Sequence, residues 1–115
     1  MYTSTEELDA YFADSHNMKP YLFCEYLHAM GNSCGDAEDY FQAMERHRGA
    51  AGGFVWEWCN HSPYLPHSER MGYGGDFGDV PNDGNFCADG LVTADCQIQS
   101  SLLELKMYSV RFEPF

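Results

Sequence analysis

Residues 20–33 read PYLFCEYLHAMGNS, and this stretch predicts a strand that ends on a carboxylate. An apolar and aromatic run that is opened by a proline and followed by Gly-Asn is typical of a short buried strand, here over 21–25. Catalytic side chains of parallel barrels come from the C-terminal ends of strands, because the following loops form the active-site mouth. Glu25 is therefore a candidate nucleophile or acid/base, although its position alone also fits a solvated rim residue.

Helices and a second strand are predicted around this segment. Ser4 followed by Glu7 forms a capping box, which predicts a first helix over 5–14. Apolar residues at helical spacing predict a second helix over 36–48 that is ended by a glycine, and GFVWEW at 53–58 predicts a second strand. Because the connection is long enough for a parallel crossover, the central unit is predicted to be βαβ.

The C-terminal half reads differently. Residues 59–96 are dense in Gly, Pro, Asn and Asp, which predicts a long loop region of the kind that usually builds a functional site. Ser101 and Glu104 form a further capping box that predicts a third helix, after which 110–115 is expected to turn extended.

Length and charge restrict the class of protein. The 115 residues form at most one domain and only a minority of a parallel barrel, which needs roughly 250 residues. Six Lys and Arg against eighteen Asp and Glu give a net charge of −12, which opposes binding to nucleic acid and anionic membranes. We see no signal peptide and no run of roughly 18 apolar residues, so no membrane partner and a cytoplasmic location are expected.

Two metal sites can be drawn from the sequence, and the spacing of their residues matches no usual metal-binding motif. The five cysteines are odd in number and lack the pairing of a small secreted scaffold, so they are interpreted as free thiols. A zinc site would use Cys24, His28, Cys34 and His61, but no CxxC pair exists. A calcium loop would use Asp76, Asp79 and Asp83. Because the EF-hand pattern is absent, turn-anchoring roles fit these aspartates better.

Five ordered strings resemble a known family. CEYLHAMGNS, GGFVWEW, YGGDFGD, PNDGNFCADGL and LLELK are similar, in order and separation, to the C-terminal part of the catalytic barrel of bacterial β-galactosidases, glycoside hydrolase family 2. The resemblance implies an α/β fold: a segment of a TIM (β/α)8 barrel with about two βα units, strands 7 and 8. Residues 1–109 would then form a partial catalytic barrel, and 110–115 would begin a following β-sandwich domain.

The same resemblance implies roles for individual residues. Glu25 falls on the nucleophile of the family, and His28, Trp56 and Asp89 fall on positions that bind the galactose. Phe86 and Asp89 fall on a loop that is associated with Na⁺ (or K⁺). Magnesium ligands of the family lie outside this chain.

Three neighbouring positions carry further expectations. Alternation along the predicted second strand puts Trp56 and Trp58 on one face. Trp56 is assigned to the sugar pocket, and Trp58 is left unassigned. Glu57 points to the opposite face, where a structural role is expected for it. Asp89 replaces the Asn of the best-known family members, so it either holds the cation or faces outward and caps a turn.

The implied activity is that of a retaining β-galactosidase, which cleaves terminal β-D-galactosides such as lactose. Such enzymes use two carboxyl groups roughly 5 Å apart. In the family the acid/base precedes the nucleophile by many residues, and only 24 residues precede Glu25, so this chain alone is expected to be inactive. The full-length protein is expected to form a homo-oligomer. A non-catalytic carbohydrate-binding module or a truncated remnant is the alternative.

Overall fold

The computed structural model describes residues 2–32 and 34–109. Its elements are α1 at Thr5–Ala13, β1 at Tyr21–Tyr26, α2 at Ala37–Arg46, β2 at Ala50–Val55 and α3 at Ser100–Ser109. The predictions for the first helix, the first strand and the second helix are confirmed to within two residues at each end.

Helix α1 begins at the predicted capping box and lies against α2. Ser4 Oγ accepts from the Glu7 amide at 3.3 Å, and Glu7 Oε2 accepts from the Ser4 amide at 2.9 Å, so two N–H groups that the helix leaves free are satisfied. Asp9 then binds His47 at 2.6 Å and Arg46 at 3.0 Å. These contacts tie the N-terminal helix to the end of α2.

The predicted βαβ unit is confirmed. β1 and β2 pair in parallel with Tyr21 opposite Ala50 and Tyr26 opposite Val55. Phe23 and Tyr26 are buried and belong to a core that also contains Leu8, Leu27, Ala29, Cys34, Ala37, Phe41, Ala43, Met44 and Leu91. A Cβ on Gly53 would lie 2.6 Å from Phe23 Cβ. Glycine there lets the two strands and their aromatic side chains meet.

The second strand lies earlier than predicted. It was expected at 53–58 and is found at Ala50–Val55. The Trp56 amide still donates to the Tyr26 carbonyl at 3.0 Å, but the Glu57 amide donates to the Asp89 carbonyl at 2.9 Å. Because the chain changes its pairing partner after Trp56, strict alternation of side chains does not extend to 58. The prediction that the two tryptophans lie on the second strand is therefore wrong.

The long loop prediction is confirmed, since the described chain between β2 and α3 holds only isolated bridges, Cys59 with Val92, Tyr64 with Met71 and Val92 with Ile98. Helix α3 begins at Ser100, so Ser101 lies inside the first turn and the capping box predicted there is wrong. The expected extended segment at 110–115 lies outside the described residues.

Much apolar surface stays open. The radius of gyration is 17.2 Å, against about 13 Å for a compact domain of this length. Leu22 on β1 and Phe54 on β2 are 52% and 64% exposed, and the sheet formed by the described residues has no third strand. Within the described residues, none of the helices has the length and apolar character to cross a membrane.

Candidate active site

Three chain segments lie side by side where the two strands end. The Ala29 amide donates to the Trp56 carbonyl at 2.9 Å, which joins the chain after β1 to the chain after β2. Residues 57–60 in turn pair with 89–92, through bonds such as the Leu91 amide to the Glu57 carbonyl at 2.8 Å. Side chains from distant parts of the sequence therefore meet at the carboxyl ends of parallel strands, the usual place for a site in such folds.

Asp89 is the centre of this cluster. Asp89 is 1% exposed. Its Oδ2 accepts from Trp56 Nε1 at 3.2 Å and lies 3.4 Å from His28 Nε2. Its Oδ1 is also buried and accepts from no fixed donor among the described residues. A buried carboxylate oxygen without a donor is costly unless a cation, a proton or a ligand group satisfies it. Protonated Glu57 is one such partner, because its side chain lies within hydrogen-bonding reach of the Asp89 carboxylate.

Glu25 lies on β1 one residue before its end and contacts Tyr2. The Tyr2 amide donates to the Glu25 carbonyl at 3.1 Å, and the Tyr2 hydroxyl bonds the Glu25 carboxylate. Partial burial, this bond and the charges of Glu25, Asp89 and Glu57 raise the pKa of Tyr2 to about 12. The Tyr2 ring also meets the ring of His28, which lies 3.4 Å from Asp89, so Tyr2 connects Glu25 to the Asp89 cluster.

The first helix and α2 hold Tyr2 in this place. The Tyr40 hydroxyl on α2 donates to the Thr3 carbonyl at 3.0 Å, directly after Tyr2. The Tyr2 ring meets the His28 ring edge to face, with 5.3 Å between the centroids, and the His28 ring lies 6.1 Å from that of Phe86. The N-terminal segment thus forms one wall of the cluster.

The sequence matches a family of known proteins along nearly its whole length. Residues 1–113 match the family described as glycosyl hydrolases family 2, TIM barrel domain. The chain belongs to glycosyl hydrolase family 2. The parallel βαβ unit, with its polar cluster at the carboxyl ends of the strands, is consistent with part of a family 2 barrel.

Relatives of this family 2 chain include named enzymes. The chain is 60% identical over 106 residues to a β-galactosidase of Actinobacillus pleuropneumoniae, covering 92% of this chain and 10% of that protein. It is 40% identical over 109 residues to a β-galactosidase of Priestia megaterium, with the same coverage. For a β-galactosidase of Staphylococcus xylosus the identity is 45% over 96 residues, or 80% of this chain and 10% of the relative. The chain spans about a tenth of the length of the relatives it matches.

The structure brings the predicted site residues of this family 2 chain together. Asp89 contacts both Trp56 and His28, and the Phe86 ring lies 6.1 Å from the His28 ring. Asp89 faces inward, so the alternative in which it turns to solvent is wrong. The buried Asp89 Oδ1 is an oxygen of the kind that hard cations prefer, and the Glu57 carboxyl group lies beside the same carboxylate.

The two weaker metal interpretations do not gain support. No three His, Cys, Asp or Glu side chains of the described residues are grouped to hold a metal ion. All five cysteines are free thiols, as predicted. Asp76 Oδ2 accepts from the Tyr73 amide at 3.1 Å and Asp79 Oδ1 from the Gly75 amide at 3.0 Å, which are the turn-anchoring roles expected for them. A cation at Asp89 would need further oxygen ligands.

Two site residues were not predicted from the sequence. Tyr2 carries no local motif, and only the packing of α1 against α2 brings it to Glu25. Glu57 was assigned to the opposite face, but its side chain is 16% exposed and lies beside Asp89 and 3.5 Å from His61 Nδ1. The direction expected for Glu57 is therefore corrected, because the strand ends before it and alternation no longer sets its direction.

We expect Glu57→Gln to remove a pH dependence of stability. Burial raises the pKa of Glu57 above its ordinary 4.5, and Asp89 raises it further through a hydrogen bond from protonated Glu57 and through charge repulsion, while His61 opposes the shift. Between the ordinary and the raised pKa the folded chain binds more protons than the unfolded chain, so stability falls as pH rises through this window. A Gln side chain has no proton to lose and donates to Asp89 at every pH.

Urea unfolding of the wild type and of Glu57→Gln between about pH 4 and pH 8 measures this effect, with the exposed Glu45→Gln as the matched control. The advantage of Glu57→Gln over the wild type should grow with pH. A difference that stays constant, or that shrinks, would show that Glu57 and Asp89 do not repel each other in the folded state.

Proposed function

We propose that this chain is the part of a retaining β-galactosidase that carries the nucleophile, Glu25. The observation that supports the proposal most directly is the arrangement at the strand ends. A partly buried carboxylate at the end of β1 bonds a phenol, beside a buried Asp89 that is flanked by His28 and Trp56. The likeness to proteins named β-galactosidase adds support for the substrate class.

In the proposed reaction a Glu25 oxygen attacks the anomeric carbon of the galactoside. The bond from that carbon to the leaving oxygen breaks, and a second carboxyl group protonates the leaving oxygen. The galactosyl ester on Glu25 is then cleaved by water, which that second carboxylate deprotonates. The Tyr2 hydroxyl can donate to the Glu25 oxygen that does not attack, and so hold the carboxylate in a fixed rotamer.

The remaining cluster is suited to hold the sugar. Trp56 is 39% exposed and can offer its ring to the C–H face of a pyranose while its N–H stays on Asp89. Asp89 and His28 can exchange hydrogen bonds with sugar hydroxyls. A Na⁺ or K⁺ ion held by Asp89 and the Phe86 carbonyl would supply positive charge beside these carboxylates and offset their repulsion.

The rest of the reaction requires residues from elsewhere in the protein. The acid/base carboxyl and the Mg²⁺ ligands are proposed to come from the part of the barrel that this chain does not contain. β1 and β2 are then strands 7 and 8, and the open strand edges and exposed Leu22 and Phe54 are surfaces that the other strands cover. Assembly of the whole protein into a homo-oligomer is part of the same proposal.

Mechanism-based labelling tests the proposal. The suitable protein is a hybrid enzyme, the Actinobacillus pleuropneumoniae β-galactosidase in which residues 2–109 of this chain replace the matching segment. A 2-deoxy-2-fluoro galactoside with a good leaving group should form a stable ester with Glu25, because the fluorine slows the hydrolysis step more than labelling. Peptide mass spectrometry locates the label.

The control is the 115-residue chain alone, which should neither hydrolyse a chromogenic β-galactoside nor become labelled, since it lacks the second carboxyl group. Attachment to Glu57 or to another carboxylate would overturn the assignment of Glu25. A folded hybrid enzyme that binds galactose but is never labelled would favour the non-catalytic carbohydrate-binding alternative.

A further inference from the structure

Two side chains hold the peptide groups of Gly90, the residue after Asp89. Asn60 Oδ1 accepts from the Gly90 amide at 2.7 Å. Gln99 Nε2 donates to the Gly90 carbonyl at 2.7 Å. Both polar groups of this buried glycine are therefore satisfied by side chains, one from the segment after β2 and one from the residue before α3. We call Asn60 and Gln99 the Gly90 clamp.

The Gly90 clamp lies where two backbone segments approach each other closely. A Cβ on Gly90 would lie 2.7 Å from Cys59 Cα and nearer still to the Cys59 carbonyl carbon and the Asn60 amide. Gly90 therefore packs directly against the backbone of the segment after β2. The backbone bonds between 57–60 and 89–92 do not use the Gly90 amide or carbonyl, so the two side chains satisfy these buried groups.

Gln99 also connects the clamp to α3. Its amide donates to the Leu91 carbonyl at 3.1 Å, and its carbonyl accepts from the Leu102 amide at 3.1 Å at the start of the helix. One residue therefore binds Gly90, Leu91 and the first turn of α3. The Gly90–Leu91 peptide, which directly follows the Asp89–Gly90 peptide, is therefore tied to α3 through this residue.

We propose that Asn60 and Gln99 are positioning residues for the active site, because they hold the Asp89 carboxylate against Trp56 and His28. This inference rests on the proposed function, in which Asp89 binds the galactose and the cation. Neither residue touches the carboxylate itself. If the peptide between Asp89 and Gly90 rotates, the Asp89 carboxylate loses its 3.2 Å contact with Trp56 Nε1. The Asp89 Oδ1 atom moves with the carboxylate.

The first test uses the full 115-residue chain and needs no activity. The chain has two tryptophans, so a proton NMR spectrum contains two indole N–H signals, which Trp58→Phe assigns. In Asn60→Ala and Gln99→Glu the Trp56 signal should shift toward that of a free indole and exchange with solvent about tenfold faster, because its bond to Asp89 is lost. Asn60→Asp keeps the acceptor oxygen and should restore the wild-type signal.

Asn82→Ala is the matched control, because Asn82 Oδ1 also accepts from a glycine amide, that of Gly84 at 3.1 Å, in an exposed part of the same loop. It should leave the Trp56 signal unchanged. An unchanged Trp56 signal in both clamp variants would overturn the proposal, as would an equal change in Asn82→Ala.

The second test measures kinetics in the hybrid enzyme, with active sites counted by the fluoro-galactoside label. Asn60→Ala and Gln99→Glu should raise the KM for an aryl β-galactoside and the Na⁺ activation constant about tenfold, with kcat per labelled site within about twofold of the wild type. A purely structural role would lower the melting temperature and the number of active sites but leave KM and the Na⁺ constant unchanged, and that result would overturn the proposal. A wild-type hybrid enzyme without activity would refute the proposed function, and the NMR test would then decide on the clamp by itself.

Discussion

Glu25→Gln in the hybrid enzyme should lower kcat for an aryl β-galactoside on the order of 10⁴-fold or more while leaving the fold nearly intact. An amide oxygen is a poor nucleophile, and loss of the attacking group removes the covalent route altogether. The Gln side chain has the same shape as Glu, and its carbonyl oxygen can still accept from the Tyr2 hydroxyl. The measurement is kcat per folded protein, with the circular dichroism and the melting temperature recorded for both proteins.

Glu45→Gln on the exposed face of α2 makes the same chemical change far from the site and should retain wild-type kinetics. A Glu25→Gln enzyme that retains a tenth or more of the wild-type kcat would exclude Glu25 as the nucleophile. If Glu25→Gln loses activity because it unfolds, the labelling experiment, which requires no variant, decides whether Glu25 is the nucleophile.

Gly90→Ala should produce the largest loss of stability of any Gly→Ala change in the described chain. The added carbon would lie 2.7 Å from Cys59 Cα and closer to two other backbone atoms, none of which can rotate away as a side chain could. Overpacking of a filled interior costs typically about 1–3 kcal/mol, and a collision with the backbone of the facing segment belongs at or above the upper end. The ladder between 57–60 and 89–92 would have to open, and Asp89 would leave the cluster.

Gly35→Ala is the matched control, because Gly35 is exposed and a Cβ there would meet nothing within 4 Å. Its free energy of unfolding should stay within about 0.5 kcal/mol of the wild type. Urea unfolding of the two variants measures both values. Equal stabilities of Gly90→Ala and Gly35→Ala would show that the segments around residues 59 and 90 do not approach as closely as described.

Local signals in the sequence were sufficient for the elements near the N-terminus. The Ser4 and Glu7 pair, three residues apart, determines where α1 begins, and both predicted hydrogen bonds are present. The run before Glu25 determines β1 because an apolar, aromatic segment between turn residues has few alternatives to a buried strand. These features depend on neighbours along the chain, so a sequence pattern can report them.

The second strand shows where such signals fail. The segment AAGG at 50–53 has a poor intrinsic preference for strand, yet it pairs with β1, while the aromatic segment 56–58 leaves the sheet. Pairing is decided by which backbone groups lie opposite each other once α2 has crossed over. Because Glu57 leaves β1 and binds the Asp89 backbone, the side-chain direction inferred from alternation was wrong for Glu57.

The sequence by itself determined the family, the βαβ order and the position of Glu25 at the end of a strand, since these follow from motifs and periods along the chain. Only the tertiary structure decided that Tyr2 contacts Glu25 and that Asp89 faces inward. It also decided that the Glu57 side chain lies beside Asp89 and that the Gly90 clamp binds the next residue. These contacts join residues that lie far apart along the chain, and no local pattern encodes them. They form because the parallel pairing of β1 with β2 and the packing of α1 on α2 bring distant backbone segments to one edge, where buried polar groups must find partners.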